Sequence, residues 1–214
     1  MSPARSSKRT HKKNRLEAFS DGVFAIAITL LVLEIAVPHV AGDKLLGELW
    51  LERQMVLSYF VAFMTIGAVW IEHSALVDGL QKVDGVFMRL NLLLLLFCAL
   101  LPFPTRLMGE YAGDRPGERV AVVFFGIVLL MQTVMLYVLA RHAEKEGLYG
   151  TDVADEESEE SRLKYQLAPS LIFYAVALAL GFVLPYLSLT LYLLIAVYLA
   201  VPVSTVRRFL RRAG

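Results

Sequence analysis

The sequence predicts an all-α integral membrane protein with six transmembrane helices. Its 214 residues are 57% apolar and 19% charged, whereas an average soluble domain is about 45 to 50% apolar and about 25% charged. The charges gather in two basic tails, residues 1–14 and 207–214. Between them, residues 15–206 contain six stretches of the about 20 mostly apolar residues that a spanning helix needs. These stretches are 16–37, 54–73, 86–104, 119–141, 167–184 and 186–206.

The first stretch follows a basic segment, as the apolar core of a signal peptide does. It is longer than the roughly 7 to 15 residues of such a core, and the small-residue sequence Ala25-Ile26-Ala27 lies in its middle rather than at a cleavage end. We therefore expect this stretch to remain in the protein as the first spanning helix.

Turn-forming residues separate the stretches. Gly, Pro and Asp mark the first three connections, which predicts loops. The fourth connection holds the acidic block 152–160, which is expected to be solvated because it cannot enter lipid. Only Pro185 separates the last two stretches, which predicts either a tight helical hairpin or one reoriented helix pair. No stretch repeats the motif of another, so we expect a single six-helix unit.

The distribution of Lys and Arg predicts the orientation, because cytoplasmic loops carry an excess of these residues. The two tails and the second and fourth connections together hold fifteen, and the other three connections hold five. Both termini are therefore expected in the cytoplasm.

Polar residues within the first three spans lie near the predicted cytoplasmic end. Ionisable groups inside a membrane are expensive and usually functional. We expect a shared hydrogen-bonded cluster, in which Trp, Asn and His supply partners and Arg15 or Arg89 pairs with a carboxylate. Its candidates are Arg15, Ser20, Asp21, Trp70, His73, Arg89 and Asn91. The alternative interpretation is that these residues only mark helix ends at the headgroup level.

A motif in the first helix resembles the signature of a known family. The pattern Arg-x-x-x-Phe-Ser-Asp is complete at Arg15, Phe19, Ser20 and Asp21. It resembles the first helix of the endosomal and lysosomal potassium channel called transmembrane protein 175 and its prokaryotic relatives. The similarity extends to Trp70-Ile-Glu-His73, to Asn91 and to Leu101-Pro102-Phe103. The last three spans match the family only in number and hydrophobicity.

The resemblance implies a potassium-selective leak channel. Single-unit prokaryotic members resemble homotetramers, so four copies are expected to surround a pore that their first helices line. By the resemblance, the constriction falls five positions after the motif aspartate, at Ile26, with the next turns at Leu30 and Leu33. The motif itself is expected to tie the first helix to its neighbours. The expected location is the plasma (inner) membrane of a prokaryote, and the expected partners are other copies, lipid and potassium ions, with no nucleic acid.

Helical geometry supports this assignment in part. On a helical projection, Leu30 and Leu33 lie within about 40° of Ile26, whereas Asp21 lies about 140° away. The polar cluster and the pore face are therefore expected on different sides of one helix. Thr29, about 60° from Ile26, borders the stripe and can offer a hydroxyl to a passing ion. The alternative interpretation is that the stripe serves helix packing, since Leu-rich spans always contain an apolar face.

Enzymatic function is not predicted. The chain has no HExxH, nucleophile-elbow or phosphate-loop motif, and the adjacent Glu72 and His73 diverge by about 100° on a helix. The only cysteine, Cys98, excludes intramolecular disulfides and Cys-type zinc sites. We expect no cofactor and no metal site beyond permeating potassium.

The main alternative function is a proton-coupled secondary transporter that uses Asp21 and His73. Against it, the chain has no internal repeat and no pair of broken helices of the transporter kind. Glu34, near the outer end of the first span, is expected to gather cations at the mouth, to pair with Lys44 or Arg53, or to extend to water.

Overall fold

The computed structural model describes residues 3–35, 42, 45–47, 53–111, 113–149 and 166–200. The predicted tail 207–214, the acidic block 152–160 and Lys44 lie outside these residues. The α-helices are α1 (Pro3–Leu30), α2 (Arg53–Asp78), α3 (Gly85–Leu100), α4 (Pro102–Glu110), α5 (Arg115–Lys145), α6 (Ala168–Gly181) and α7 (Pro185–Ala200), and a 3₁₀ turn, Leu31–Glu34, follows α1.

Four helical segments are long and apolar enough to cross a membrane. They are Lys12–Glu34, Met55–Asp78, Gly85–Glu110 and Arg115–Lys145. Within the described residues, the apolar helices α6 and α7 have 14 and 16 residues, fewer than the about 20 of a spanning helix. The all-helical class is thus confirmed, with four candidate spans in the described part of the chain; the count of six stays a prediction. Residues 201–206 of the last predicted span lie outside that part.

Helix α5 lies at the centre of the bundle and α1 lies at its edge. α5 contacts α2, α3, α4, α6 and α7, and its Phe125, Leu129 and Leu136 are fully buried. α1 packs against α2 and α3. Only 28% of the apolar part of α1 is buried, compared with 50% in α2 and α5. Among the four candidate spans, α1 therefore leaves the largest share of its residues uncovered by the single chain.

The third apolar segment breaks at Leu101. Pro102 starts α4 and has no N–H, so it cannot donate to the Cys98 carbonyl, as a helical residue at this position would. The Leu101 N–H donates to that carbonyl instead, at 3.3 Å. Gln132 of α5 donates its side-chain N–H to the carbonyl of Phe97 at 3.0 Å. A side chain from another helix thus satisfies backbone at the break, as a buried polar group at membrane depth requires.

Two helices extend beyond the predicted apolar stretches. The basic residues before the first stretch belong to α1, which begins at Pro3; hydropathy marks where a helix enters lipid, and Arg and Lys are good helix formers. Arg106, which follows the third stretch, lies in α4, where its Nε donates to Glu110 at 2.8 Å. An i,i+4 pair of this kind supports a short polar helix.

One end of the bundle, which we call the Lys13 end, joins four helices. Lys13 of α1 donates from Nζ to the carbonyl of Asp78, the last residue of α2, at 2.8 Å. The backbone N–H groups of Gln81 and Lys82, between α2 and α3, donate to the carbonyl of Leu148 after α5, at 3.0 and 3.3 Å.

Gly147 shapes the end of α5 that takes part in this junction. It has φ +55°, a left-handed conformation that glycine adopts at little cost. The Gly147 and Leu148 N–H groups donate back to the carbonyls of Glu144 and Ala143 at 3.1 and 2.9 Å, as in a Schellman motif. The turn directs Leu148 toward the α2–α3 connection.

Candidate functional site: the two faces of helix α1

Helix α1 has one buried face and one exposed face. The buried residues recur every three or four positions, which is the period of one helical face. They are Leu16, Ser20, Phe24, Ala27 and Leu31. This face packs on α2 and α3, and its polar member is Ser20.

Ser20 belongs to a buried chain of hydrogen bonds that crosses three helices. Asn91 of α3 donates from Nδ2 to Ser20 Oγ at 2.9 Å. The Oδ1 of the same amide is 2.7 Å from Nε2 of His73 in α2, so His73 donates through Nε2–H. All three side chains are at most 1% exposed, and the Phe24 ring packs at 5.4 Å from the His73 ring. Each of these hydrogen bonds takes the place of a hydrogen bond to water, because the bilayer interior supplies no water.

Asp21 makes a separate contact. The Trp70 indole Nε1 donates to Asp21 Oδ1 at 2.9 Å, and both side chains are exposed. The structure therefore divides the predicted cluster into a buried chain and an exposed pair. Within the described ranges, neither Arg15 nor Arg89 forms an ion pair with Asp21; both arginines are exposed.

Arg15 and Phe19, the other two motif residues, do not reach the buried chain. Phe19 is 54% exposed. Together with Lys12, Met88 and other α3 residues they line a groove of about 370 Å³ between α1 and α3. The motif thus has two hydrogen-bonded members and two members that face a groove.

The apolar stripe is on the exposed face of α1. Ile26 is 61% exposed, Leu30 42% and Leu33, in the 3₁₀ turn, 74%. The exposed Thr29 donates its hydroxyl to the carbonyls of Ala25 and Ile26, both at 2.9 Å. Its proton is therefore held by its own helix, and only its lone pairs face outward. Glu34 is half-buried in the 3₁₀ turn, and the Arg53 side chain lies outside the described residues.

The geometry does not favour the transporter alternative. Asp21 is bonded to an indole and His73 to an amide, and neither group passes a proton from one partner to another. Among the described residues no group of three or more His, Cys, Asp and Glu could hold a metal ion.

Sequence reasoning missed three polar residues that organise the bundle. Asp84 accepts the Phe87 N–H at 2.7 Å and lies 2.9 Å from Nε2 of His142. An Asp directly before a helix is an N-cap signal, so the capping role of Asp84 could have been predicted from the sequence. Gln132, a lone amide within an apolar span, is the kind of residue that signals a buried role. Nothing in the sequence singles out Lys13 from its basic neighbours.

These features define a class of protein: a polytopic α-helical membrane protein. Four of its helical segments suit a bilayer, a polar layer joins its first three helices, and its first helix exposes an apolar face.

The chain belongs to the family of the endosomal/lysosomal potassium channel TMEM175, whose model matches residues 15–102. A protein of Streptomyces collinus named as a potassium channel is 34% identical over 203 residues, covering 91% of this chain and 96% of that protein. A Chamaesiphon minutus protein with the same kind of name is 36% identical over 190 residues, covering 87% and 92%.

A solved structure shares the fold. The crystal structure of a lysosomal potassium-selective channel TMEM175 homolog from Chamaesiphon minutus superposes with a TM-score of 0.79 at 34% identity, covering 89% of this chain and 97% of that one. The Gallus gallus protein named as endosomal/lysosomal proton channel TMEM175 is 33% identical over 150 residues, which is 64% of this chain but only 30% of that protein. The family's named members are ion channels rather than enzymes.

Proposed function

We propose that this chain is a potassium-selective leak channel in the plasma membrane of a prokaryote. Four copies assemble so that their α1 helices line a central pore. Ile26 forms the narrowest ring, and Leu30 and Leu33 continue the apolar wall outward. The bacterial relatives named as potassium channels support the function.

The pore assignment rests on one observation: α1 has a buried face fixed to the bundle and an exposed apolar face. Its buried face holds the Ser20 hydroxyl in a hydrogen-bond chain, while Ile26 and Leu33 on another face are more than half exposed. A pore-lining helix needs this division, because one face must be fixed to the bundle while the other meets the symmetry axis. A face turned to lipid would also be apolar. The ion selectivity of Ile26 and Leu33 variants distinguishes a pore-facing role from a lipid-facing one.

An apolar ring discriminates between ions by the cost of dehydration. Four Ile26 side chains offer no oxygen ligands, so an ion must keep its water or lose part of it without replacement. Apolar constrictions gate by dewetting. Potassium holds its water less tightly than sodium, and therefore crosses such a ring at lower cost.

The proposed topology has six membrane crossings with both termini in the cytoplasm. The Lys13 end of the bundle places the basic start of α1 beside the ends of α2 and α5, which is the side that carries most Lys and Arg. The helices α6 and α7 supply the last two crossings.

Substituting Ile26 tests the constriction. Ile26→Asn should hydrate the ring, raise conductance and reduce the potassium-to-sodium permeability ratio severalfold, because an amide replaces a surface that offers ions nothing. Leu33→Asn, farther out on the same stripe, should change current with less effect on the ratio. Reversal potentials under potassium and sodium gradients measure both effects.

Ala25→Asn is the matched control. Ala25 is exposed at the same depth but about 100° away on the helix, so an amide there should leave the permeability ratio unchanged. An Ile26→Asn channel with unaltered selectivity would show that Ile26 is not the filter. Discrete unitary currents in planar bilayers separate the channel from the transporter alternative, because a carrier produces none.

A further inference from the structure

The exposed face of α1 continues from the apolar stripe to two cations. On a helical projection Phe19 lies about 20° from Ile26. Arg15 and Lys12, farther toward the amino end, lie about 20° and 40° from Ile26. Phe19 is 54% exposed, and both cations are exposed as well. The face that is apolar at Ile26 and Leu33 is therefore positively charged at its amino end.

The acidic residues in this part of α1 lie on other sides of the helix. Glu17 and Asp21 are about 180° and 140° from Ile26. The α3 residues that share a groove with the two cations carry no charge; they are Met88, Asn91 and Leu92. Among the described residues, neither cation takes part in an ion pair. The described part of one chain thus brings positive rather than negative charge to this end of the face.

The two cations lie at the membrane surface, well away from the proposed constriction. Lys12 is the first residue of the candidate span Lys12–Glu34. With a rise of about 1.5 Å per residue, Arg15 is about 16 Å and Lys12 about 21 Å from Ile26 along the helix axis. Fixed charges act over about 8 Å at physiological ionic strength. The cations therefore influence ions that approach the pore, but not ions within the Ile26 ring.

We propose that Lys12 and Arg15 form a positively charged inner mouth, which makes the channel conduct potassium inward more readily than outward. This inference rests on the proposed function, in which four α1 helices surround the pore with their amino ends in the cytoplasm. Each copy then contributes two positive charges to the cytoplasmic entrance.

The direction of the effect follows from where the charges lie. A cleft lined by one sign of charge lowers the local concentration of ions of that sign. Potassium that enters from the cytoplasm is therefore depleted before it reaches the Ile26 ring. Potassium that enters from outside reaches the ring first, and the charged mouth limits only its exit. Outward current is reduced more than inward current.

Unitary currents in excised inside-out patches test this inference, because the patch fixes the orientation of the channel. In symmetric KCl of about 10 mM the Debye length is about 30 Å, and inward current should exceed outward current at least about twofold at equal and opposite voltages. In KCl of about 1 M the Debye length is about 3 Å, and the two currents should become nearly equal. An asymmetry of the same size in both solutions would contradict a role for fixed charge.

Charge variants at position 12 provide the second arm. Lys12→Gln should reduce the inward excess in dilute KCl, and Lys12→Glu, which offsets the charge of Arg15, should abolish it. Both variants should keep the potassium-to-sodium permeability ratio, since the mouth repels the two cations equally. Lys145→Gln, at an exposed lysine at the end of α5, is the matched control and should keep the full asymmetry. Equal asymmetry in the Lys12→Glu and Lys145→Gln channels would overturn the proposal.

A thiol at position 12 allows the charge to be changed on a folded and conducting channel. The protein's only cysteine, Cys98, is fully buried, so the natural protein is the control for the reagents. In Lys12→Cys channels, a positively charged methanethiosulfonate applied from the cytoplasmic side should restore the inward excess. A negatively charged methanethiosulfonate should remove it. Currents that neither reagent alters would show that position 12 faces away from the ion path, which would overturn the proposal.

The outcomes separate this inference from the proposed function. Absence of unitary currents in the natural protein would overturn both. Symmetric currents in dilute KCl would overturn the charged mouth alone. If charge at position 12 controls the asymmetry while Ile26→Asn leaves selectivity unaltered, the mouth is supported and only the Ile26 assignment fails.

Discussion

Asn91 is the residue on which the attachment of α1 depends. One amide in α3 bonds to Ser20 of α1 through its nitrogen and to His73 of α2 through its oxygen. Both partners are fully enclosed, so neither has water as a substitute. A single side chain thus connects three helices at one depth.

Removing that amide should destabilise the bundle. Asn91→Ala leaves Ser20 and His73 without their partner, and each orphaned buried group costs about 1 to 3 kcal/mol. We expect a lower unfolding temperature and a lower yield of assembled protein, measured by thermal unfolding and size-exclusion chromatography in detergent. Asn14→Ala, at an exposed asparagine of α1, is the control. Equal unfolding temperatures for the two variants would contradict a structural role for the Asn91 chain.

The sequence predicted the depth at which the polar residues lie, but not which of them are hydrogen-bonded to each other. Ser20, His73 and Asn91 all lie at or near the predicted cytoplasmic ends of their spans, which indicated a common level. Their bonding depends on how α2 and α3 are rotated about their axes, and hydropathy carries no such information. Trp70 was therefore grouped with them, although its indole bonds to Asp21 on the exposed side.

At the scale of the element, Asp84 determines where α3 begins. Its Oδ1 accepts the Phe87 N–H and both of its oxygens contact His142 Nε2. Partial burial by itself raises the pKa of Asp84, but the hydrogen bonds from Phe87 and His142 outweigh it and lower the pKa below the usual value. The cap joins the start of α3 to the end of α5.

The Asp84 cap should make stability depend on pH in the acid range. Because the pKa is lower in the folded state, the carboxylate stabilises the fold fully above about pH 4, the unfolded value. This contribution falls as the pH drops through the lower folded pKa. Asp84→Ala should therefore cost about 1 kcal/mol at neutral pH, and its difference from the natural protein should shrink in acid. Unfolding temperatures between pH 7 and pH 3 measure this.

Asp114 offers a control at another helix start. It occupies the N-cap of α5, but its side chain makes no capping hydrogen bond. Asp114→Ala should consequently change the unfolding temperature little at any pH. A pH-independent effect of Asp84→Ala would contradict the capping role.

Hydropathy locates spans but not the ends of the helices that contain them. Apolar stretches located α1, α2, α3 and α5, because burial in lipid selects for hydropathy. Hydropathy does not report helical conformation in water, so it could not show that α1 begins at Pro3. Pro102 and Pro104 were visible in the sequence, and their missing N–H groups are a signal that the third segment breaks.

At the scale of the whole molecule, the two ends of the bundle are joined by different elements. Lys13 of α1, the ends of α2 and α5 and the start of α3 meet at the Lys13 end, while Arg115 starts α5 at the other end.

The count of spans could not be decided from hydropathy alone. The apolar helices α6 and α7 are, within the described residues, shorter than the other spans.

Cysteine labelling tests the proposed topology. Because Cys98 is buried, the variants Ser6→Cys, Ala213→Cys and Arg115→Cys each carry one thiol besides it. In intact cells, a membrane-impermeant maleimide should label Arg115→Cys alone, and in inverted vesicles it should label Ser6→Cys and Ala213→Cys. Labelling of position 6 and position 213 from opposite sides would show an odd number of crossings.

The break at Leu101 also has a genetic consequence. The missing N–H of Pro102 leaves the Phe97 carbonyl to accept from Gln132, so we expect the two positions to be coupled. With an N–H restored at position 102, the ordinary helical bonds could re-form and the amide at 132 would become dispensable. Mutations at Gln132 should therefore find their suppressors at Pro102, thirty positions earlier in the chain, and the two sites should drift as a pair through the evolution of this lineage.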